Sequence, residues 1–576
     1  MSDVMGAELL VKCLIQENVE FIFGIPGDQT CPMLDAIRRL GPETGLQFIM
    51  TRHEQAAAHM ADSYSRVTGR PGVCTGTVGP GAANLVPGVY PAWADSIPMV
   101  ILTGQNQTWK SYPERGSMQS LDQVRLFEPI TKWNARITNW RRIPELVQRA
   151  FRVAASGRPG PVHLDLHVDV MVAMGEEESI DFRVEPPERY RAARRPAAQP
   201  ELVEQAAQML VEAERPLLHP GGGVLRSGAW DEVRKLAEYL SAPVTTSIGA
   251  AGVIPEDHPL CLIAGGYGAL GAQAVADVVL LVGGRMGDLD FWGLPPFWGE
   301  PEEQKLIQID IDPDNVGLNR PVNLALVGDA KAVLSALLEA VKRMMPPIPE
   351  RPDMAEYRLT EETWLQQFEK DASSDKKPIH PLRLMREVRG FFPREAISVV
   401  DGGNTAVWAH YLNRIYVPRS FVTAADSGHL GVGLPYAIGA KLARPEQMVY
   451  AICGDGAFTM NVQELETAAR LKLPLVIVIA NDRQWGMIKG VQMDAYDSRY
   501  IGVDFEDVRY DLAAQAFGCH GERVEDPEEI TPALERAVAS GKPAVLDVLI
   551  DQWANLTPPD LANLDAVWME GCELPW

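Results

Sequence analysis

The sequence predicts an α/β protein built from three doubly wound parallel-sheet domains. Short β-branched runs alternate with helical stretches along nearly the whole chain, the rhythm of parallel sheets covered by helices on both faces. These runs end in glycine-rich or polar turns, and in such folds ligands bind at the carboxyl ends of the strands. Two proline-rich segments interrupt the rhythm and divide the chain.

The first unit, residues 1–183, carries the strand runs "VEFIFGIPG", "GVCTGTVG", "PMVILTG" and "PVHLDL". The segment 184–201 is rich in Pro and Arg and reads as a linker. The second unit, 200–343, contains "ADVVLLVGG" and "KLIQIDID", and a second linker, 343–357, follows it. A polar stretch, 371–381, leads into the third unit, 378–553, with "AISVVDGG", "MVYAICGDG" and "PLVIVIAND". Residues 554–576 form a short tail, a candidate lid.

The bulk numbers agree with this layout. A chain of 576 residues is too long for one core. Its 46% hydrophobic and 23% charged residues are those of a globular protein. No apolar run approaches the roughly 18 residues that a spanning helix needs. The N-terminus carries acids and an amphipathic pattern where a signal peptide would be basic and apolar. The seven cysteines have no paired spacing, which predicts reduced, buried thiols and neither zinc nor a disulfide frame. A net charge of −24 argues against nucleic acid as a partner. A cytoplasmic location follows as the expectation.

The most informative stretch is "AICGDGAFTMNVQELETAARLKLPLVIVIAND". An apolar strand ends in Gly454-Asp455-Gly456-Ala457, a helix follows, and the next strand ends at Asn481-Asp482. In a parallel sheet the two ends share one edge, so Asp455 and Asp482 can converge. Such carboxylates repel unless a cation lies between them, and Mg²⁺ suits oxygen ligands together with a diphosphate. Taken alone, Gly-Asp-Gly is a common turn. "VVDGGNTAVWAHYL" supplies a second turn of this kind, with Gly402, Gly403, Asn404 and Thr405 opening a helix.

With these residues in view, the chain resembles the thiamin-diphosphate superfamily of acetohydroxyacid (acetolactate) synthases, pyruvate decarboxylases and 2-hydroxyacyl-CoA lyases. The resemblance implies that Asp455, Asp482 and the Gln484 carbonyl bind Mg²⁺, although the family's second Asn is here Asp482. It implies that Glu54, in "RHEQAAAHMA", is the catalytic acid that hydrogen-bonds the cofactor pyrimidine. Gly428 and Leu430, in "ADSGHLGVGLPYAIGA", and Met487 would hold that ring. Gly402 through Thr405 and Gly454 through Ala457 would meet the diphosphate. Gln119 stands where the family places a Gln beside the reacting atoms, while Met118, Leu289 and Trp485 would line the substrate pocket. The three units become pyrimidine-binding, central (FAD-, ADP- or CoA-site-like) and diphosphate-binding domains, with active sites at the interface of a homodimer or homotetramer. The expected reaction is acetolactate-synthase-like carboligation or decarboxylation of 2-oxo acids through an ylide and a carbanion/enamine. Leu289, where such synthases direct an Arg at the substrate carboxylate, favours a 2-hydroxyacyl-CoA lyase making formyl-CoA and an aldehyde or ketone. A third reading is a non-catalytic paralogue that keeps the fold.

Overall fold

A computed structural model describes residues 3–111, 113–192 and 195–559. It contains three fully parallel sheets, built from the apolar runs that mark them in the sequence. In the first, β1 (Phe21–Gly24), β2 (Gln47–Met50), β3 (Gly72–Gly76), β4 (Met99–Gln105), β5 (Trp133–Ile137) and β6 (Pro161–His167) lie in the order β2-β1-β3-β4-β6-β5. The central sheet has the order β10-β9-β8-β7, from β7 (Pro216–Pro220), β8 (Val278–Val282), β9 (Lys305–Asp310) and β10 (Leu324–Val327).

The third sheet repeats the order of the first. Its strands β11 (Ile397–Asp401), β12 (Phe421–Val422), β13 (Val449–Gly454), β14 (Val476–Asn481), β15 (His520–Val524) and β16 (Ala544–Leu549) run β12-β11-β13-β14-β16-β15. In that order the chain reverses direction across the sheet between β11 and β13. Doubly wound sheets bind ligands at this switch point.

The inner strands are buried on both faces, because helices cover them on either side. The edge strands β5 and β15 are mostly half-buried. They therefore lack the continuous apolar run that marks their neighbours, and the sequence shows no clear sign of them.

By packing, the described residues fall into two compact units: 3–192 with 426–446 and 459–475, and 195–425 with 447–458 and 476–559. Two helices that follow strands of the third sheet, Gly433–Ala443 and Glu464–Arg470, thus group with the first unit. Inside that unit, Gly433–Ala443 lies close against the helix Glu54–Thr68. Ser63 Oγ donates to the Tyr436 carbonyl at 2.7 Å, and the Tyr436 hydroxyl donates to Asp62, which also pairs with Arg66 at 2.7 Å.

The linker expected over 343–357 is shorter than its composition suggests. A helix begins at Pro352 and runs to Gln366, burying Met354 and Tyr357. Proline at the first helical position gives up no hydrogen bond and has its φ already set, so a proline-rich run can open a helix as well as prevent one. The helix expected after Gly-Asp-Gly is likewise interrupted: Asp455–Thr459 is one short helix and Glu464–Arg470 another. Of the cysteines, Cys13, Cys74, Cys453 and Cys519 are buried and free, Cys261 is half-buried, Cys31 is exposed, and Cys572 lies outside the described residues. Among the described residues no helix is long and apolar enough to cross a membrane.

Candidate active site

In the second unit, the switch point gathers three strand ends. β11 pairs with β13, Asp401 opposite Cys453, and β13 pairs with β14, Gly454 opposite Ala480. The turns that follow therefore lie side by side: Gly402-Gly403 with the helix Asn404–Leu412, Gly454 with the helix Asp455–Thr459, and Asn481-Asp482. Gly402 has φ +122°, a value that L residues rarely adopt. Met487, on the helix Gly486–Ala495, reaches back to this edge, where a Cβ on Gly403 would come within 2.9 Å of it. Gly402, Gly403, Asn404, Thr405, Gly454, Asp455, Gly456, Ala457, Asp482, Gln484 and Met487 thus share one edge of one sheet.

Asp455 and Asp482 are 2% and 3% exposed. Burial raises the pKa of both, and the Asp482 charge raises that of Asp455 further. Two buried acids facing each other are costly to ionise without a positive partner. Asp455 Oδ1 accepts the Gly456 N–H and its Oδ2 the Arg483 N–H, each at 2.8 Å. Asn481 is committed elsewhere, donating to Asp547 at 2.8 Å. The charge that acts on Asp455 is that of Asp482.

Three side-chain amides surround the pair. Gln484 Nε2 and Asn555 Nδ2 both donate to Asp482 Oδ2, at 2.9 and 2.6 Å, and Asn404 Nδ2 donates to the Asn555 carbonyl at 2.6 Å. The amide oxygens of all three, Gln484 Oε1, Asn555 Oδ1 and Asn404 Oδ1, are buried without a hydrogen-bond partner. A group of two carboxylates and three unpartnered carbonyl oxygens offers only hard oxygen donors, the set that a small divalent cation takes. Among the described residues no cluster of three or more His, Cys, Asp or Glu suits a metal ion, so this set differs from a zinc-type centre.

In the first unit, Glu54 opens the helix Glu54–Thr68 and is 7% exposed. Asn84 Nδ2 donates to Glu54 Oε2 at 3.0 Å. The preceding backbone is held by Glu464, whose Oε1 accepts the Arg52 and His53 N–H groups, each at 3.0 Å. Gln55 Nε2 lies 3.4 Å from His429 Nε2, so the turn carrying Gly428 and Leu430 stands beside the start of this helix. Gly428 has φ +59°.

Gln119 also has positive φ, +61°, and its carbonyl lies against Gly79, where a Cβ would come within 2.4 Å of it. Its loop is tied down by Asn106, which donates to the Met118 carbonyl at 2.9 Å, and by Gln105, which donates to the Leu121 carbonyl at 3.1 Å. The Met118 side chain is 83% exposed.

The other residues expected to line a substrate pocket lie in the second unit. Trp485 stands against Gly456, and Leu289 sits half-buried in the turn Asp288–Gly293 that follows β8 on the central sheet. In that sheet the Gly221 and Gly223 N–H groups donate to the Val282 and Gly283 carbonyls at 2.8 and 2.9 Å. They hold two loops together instead of facing a ligand.

Three stretches of the chain match family profiles. Residues 4–126, 203–337 and 401–548 match the N-terminal TPP binding domain, the central domain and the C-terminal TPP binding domain of the thiamine pyrophosphate enzymes. The chain belongs to the thiamin-diphosphate enzyme family. It is 38% identical to a protein of Methanocaldococcus jannaschii described as a "Probable acetolactate synthase large subunit", over 95% of this chain and 92% of the other. It is 34% identical to the "Acetolactate synthase isozyme 2 large subunit" of Escherichia coli (97% and 98% covered) and 33% identical to the "Acetolactate synthase large subunit" of Corynebacterium glutamicum (96% and 88%).

As a thiamin-diphosphate enzyme, acetolactate-synthase-like along its length, the chain contains residues that its sequence did not single out. Asn84 lies on the helix Pro80–Ala94, in the run "GPGAANL", where nothing local distinguishes its amide from a surface one. Glu464 reads as an ordinary helical acid, and its partners are about 400 positions away. Asn555 falls in the stretch expected to be a tail, whose first residues instead complete the helix Gln552–Leu556; residues 560–576 lie outside the described residues.

Proposed function

We propose that this thiamin-diphosphate enzyme is an acetolactate-synthase-type carboligase acting on 2-oxo acids. One observation carries the cofactor chemistry: the buried Asp455–Asp482 pair and its unpartnered amide oxygens lie at the switch point of the third sheet; the near-full-length likeness to acetolactate synthase large subunits supports the carboligase. Those groups fit Mg²⁺, which Asp455, Asp482 and the Gln484 carbonyl would hold, and Gly402, Gly403, Asn404, Thr405, Gly454, Gly456 and Ala457 would bind the diphosphate. When bound, thiamin diphosphate supplies a carbon nucleophile that adds to a carbonyl and accepts the charge left when a neighbouring bond breaks.

The chain's own residues do the rest. Glu54, fixed by Asn84 and sheltered from water, holds the proton at the pyrimidine N1′ and so tunes the basicity of the ring's amino group. Gly428, Leu430 and Met487 orient that ring. Gln119, on its strained and anchored loop, faces the reacting carbonyl, and Met118, Leu289 and Trp485 bound the space for substrate. The domains are assigned as 1–183 for the pyrimidine, 200–343 as the central domain and 378–553 for the diphosphate and cation; most of the segment expected to form a lid lies outside the described residues.

The central domain is assigned no flavin or nucleotide step. For FAD, ADP or CoA to bind there, donors other than the Gly221 and Gly223 N–H groups are required. The active assembly is a homodimer or homotetramer with its active sites at the subunit interface. The lack of a membrane-spanning helix among the described residues and the free thiols favour the cytoplasm.

A 2-hydroxyacyl-CoA lyase is the second reading, favoured by Leu289 at the position of a carboxylate-binding Arg. Product identification separates the two. The enzyme loaded with Mg²⁺ and thiamin diphosphate is incubated with pyruvate and, separately, with formyl-CoA and an aldehyde. Acetolactate from the first mixture alone is the expected result; a hydroxyacyl-CoA from the second alone selects the lyase. No product from either, with cofactor bound, favours a non-catalytic paralogue.

A further inference from the structure

Asp482 carries an unusual load. The two side-chain amides that donate to its carboxylate, those of Gln484 and Asn555, meet the same oxygen, Oδ2. Asn555 comes from the helix Gln552–Leu556, about seventy residues further along the chain, and is 3% exposed. This helix is fastened to the same spot by three more bonds. Gln552 Nε2 donates to the Asp482 carbonyl at 2.8 Å, Gln484 Nε2 to the Gln552 carbonyl at 3.0 Å, and Asn404 Nδ2 to the Asn555 carbonyl at 2.6 Å. Glycine at 486 keeps the approach open, since a Cβ there would lie 2.9 Å from Asp482 Oδ2 and 3.0 Å from Asn555 Nδ2.

The bonding is one-sided. Every amide nitrogen of Asn404, Gln484 and Asn555 has an acceptor, whereas every amide oxygen is buried without a donor. A buried carbonyl left unpaired gives up the hydrogen bonds that it would make in water, which is costly. Three of them around one carboxylate pair are a cost that packing alone does not explain. Hydrated Mg²⁺ resolves it, because the ion usually keeps several waters, and each water bound to a cation is a strong donor.

We propose that Asn555 is a positioning residue of the cation site, which makes the helix Gln552–Leu556 part of that site. Its N–H groups fix Asp482, while its Oδ1, together with Asn404 Oδ1 and Gln484 Oε1, accepts hydrogen bonds from the hydration shell of the ion. The proposal rests on the reading that Asp455 and Asp482 hold Mg²⁺. It adds that the helix Gln552–Leu556 is ordered by, and reports on, cation loading. Partners that orient metal ligands in this way typically contribute about 10- to 100-fold in metal affinity.

The test is calorimetric titration of Mg²⁺ into the full-length protein with thiamin diphosphate present, for wild type, Asn555→Ala, Asn555→Ser and Asp455→Ala. The expected result is a Kd raised about 10- to 100-fold in Asn555→Ala, a smaller rise in Asn555→Ser, and apo-protein melting close to wild type for both. In a double-mutant cycle with Asp482→Asn, the cost of Asn555→Ala should shrink, because the carboxylate that Asn555 positions is gone. Amide exchange at 552–556 should slow on adding Mg²⁺ to wild type and change less in Asn555→Ala. Wild-type affinity in both Asn555 variants, with Asp455→Ala abolishing binding, overturns the proposal and leaves the cation site standing. Equal, negligible Mg²⁺ binding by wild type and Asp455→Ala overturns the cation reading itself, and the proposal with it.

Discussion

The Glu464 carboxylate accepts the His53 backbone N–H at 3.0 Å, one residue before Glu54. It also accepts the Arg52 N–H and the Thr467 hydroxyl, so a fully buried acid fixes the path by which the chain enters the helix Glu54–Thr68. Asn84 then fixes the carboxylate of Glu54. The backbone and the side chain of the proposed catalytic acid are thus held by separate residues, neither of which needs to touch substrate.

Glu464 gives the first unit a predictable pH response. Burial pushes its carboxyl up to about 7 from the ordinary 4.5. The folded protein therefore binds this proton more tightly than the unfolded chain does. The contribution to stability is full below about pH 4.5 and is lost as the pH rises through about 7. At its largest it is worth about 3 kcal/mol. Glu464→Gln keeps the shape and fixes the neutral form, so its thermal midpoint should fall less than that of wild type between about pH 5 and pH 8. Parallel curves for the two proteins would rule the assignment out.

Asn84→Ala should separate catalysis from stability. The variant removes a hydrogen bond to an acid that is 7% exposed, a loss of about 1.5–3 kcal/mol, or roughly 10- to 100-fold, expected in kcat. Glu54→Gln should cost more, about 10²- to 10⁴-fold. Thermal midpoints should barely move, because Asn84 is only half-buried. A drop in midpoint that accounts for the lost turnover would reduce Asn84 to a packing residue.

How far the sequence could be read follows from which contacts are local. The buried inner strands are legible because both faces demand apolar residues, and "MVYAICGDG" and "PLVIVIAND" show this directly. Asp455 and Asp482 converge for the same reason: parallel strands place their ends together. The edge strand His520–Val524 is not legible, since four of its five residues are half-buried and chemically mixed. Nor are Glu464 and Asn555, whose partners at positions 52–53 and 482 are brought near only by the tertiary fold. A buried carboxylate meeting a distant N–H leaves no periodicity to detect.

Metal affinity should depend on pH with a defined sign. Burial and mutual repulsion raise the Asp455 pKa above the usual carboxylate range, and burial raises that of Asp482. A cation must displace whatever protons the pair holds, so Mg²⁺ should bind more tightly as the pH rises from the ordinary carboxylate range, until both groups are ionised. Asp482→Asn removes one charge while keeping an oxygen ligand, and should both weaken binding and flatten this dependence. Titrations at several pH values check it. A variant as steeply pH-dependent as wild type would exclude Asp482 from the ligand set.

Trp485 and Gly456 make a steric test of the proposed substrate pocket. A Cβ on Gly456 would lie 2.5 Å from Trp485 Cζ3. The ring cannot easily yield, because the indole packs edge-on against Phe505 with centroids 5.1 Å apart, and the backbone beneath it is held by the Trp485 main-chain N–H donating to the Val503 carbonyl at 2.8 Å. Gly456→Ala should therefore destabilise the second unit by about 1–3 kcal/mol, as overpacking of a filled site does, and should weaken thiamin diphosphate binding through the displaced turn. Trp485→Leu opens the space. Combined with Gly456→Ala, it should recover much of the lost stability, a strong non-additivity expected only for side chains in contact. The single variant Trp485→Leu should also shift substrate preference towards bulkier 2-oxo acids, since the indole then no longer bounds the cavity. Additive effects on unfolding, together with an unchanged substrate profile, would remove Trp485 from the pocket.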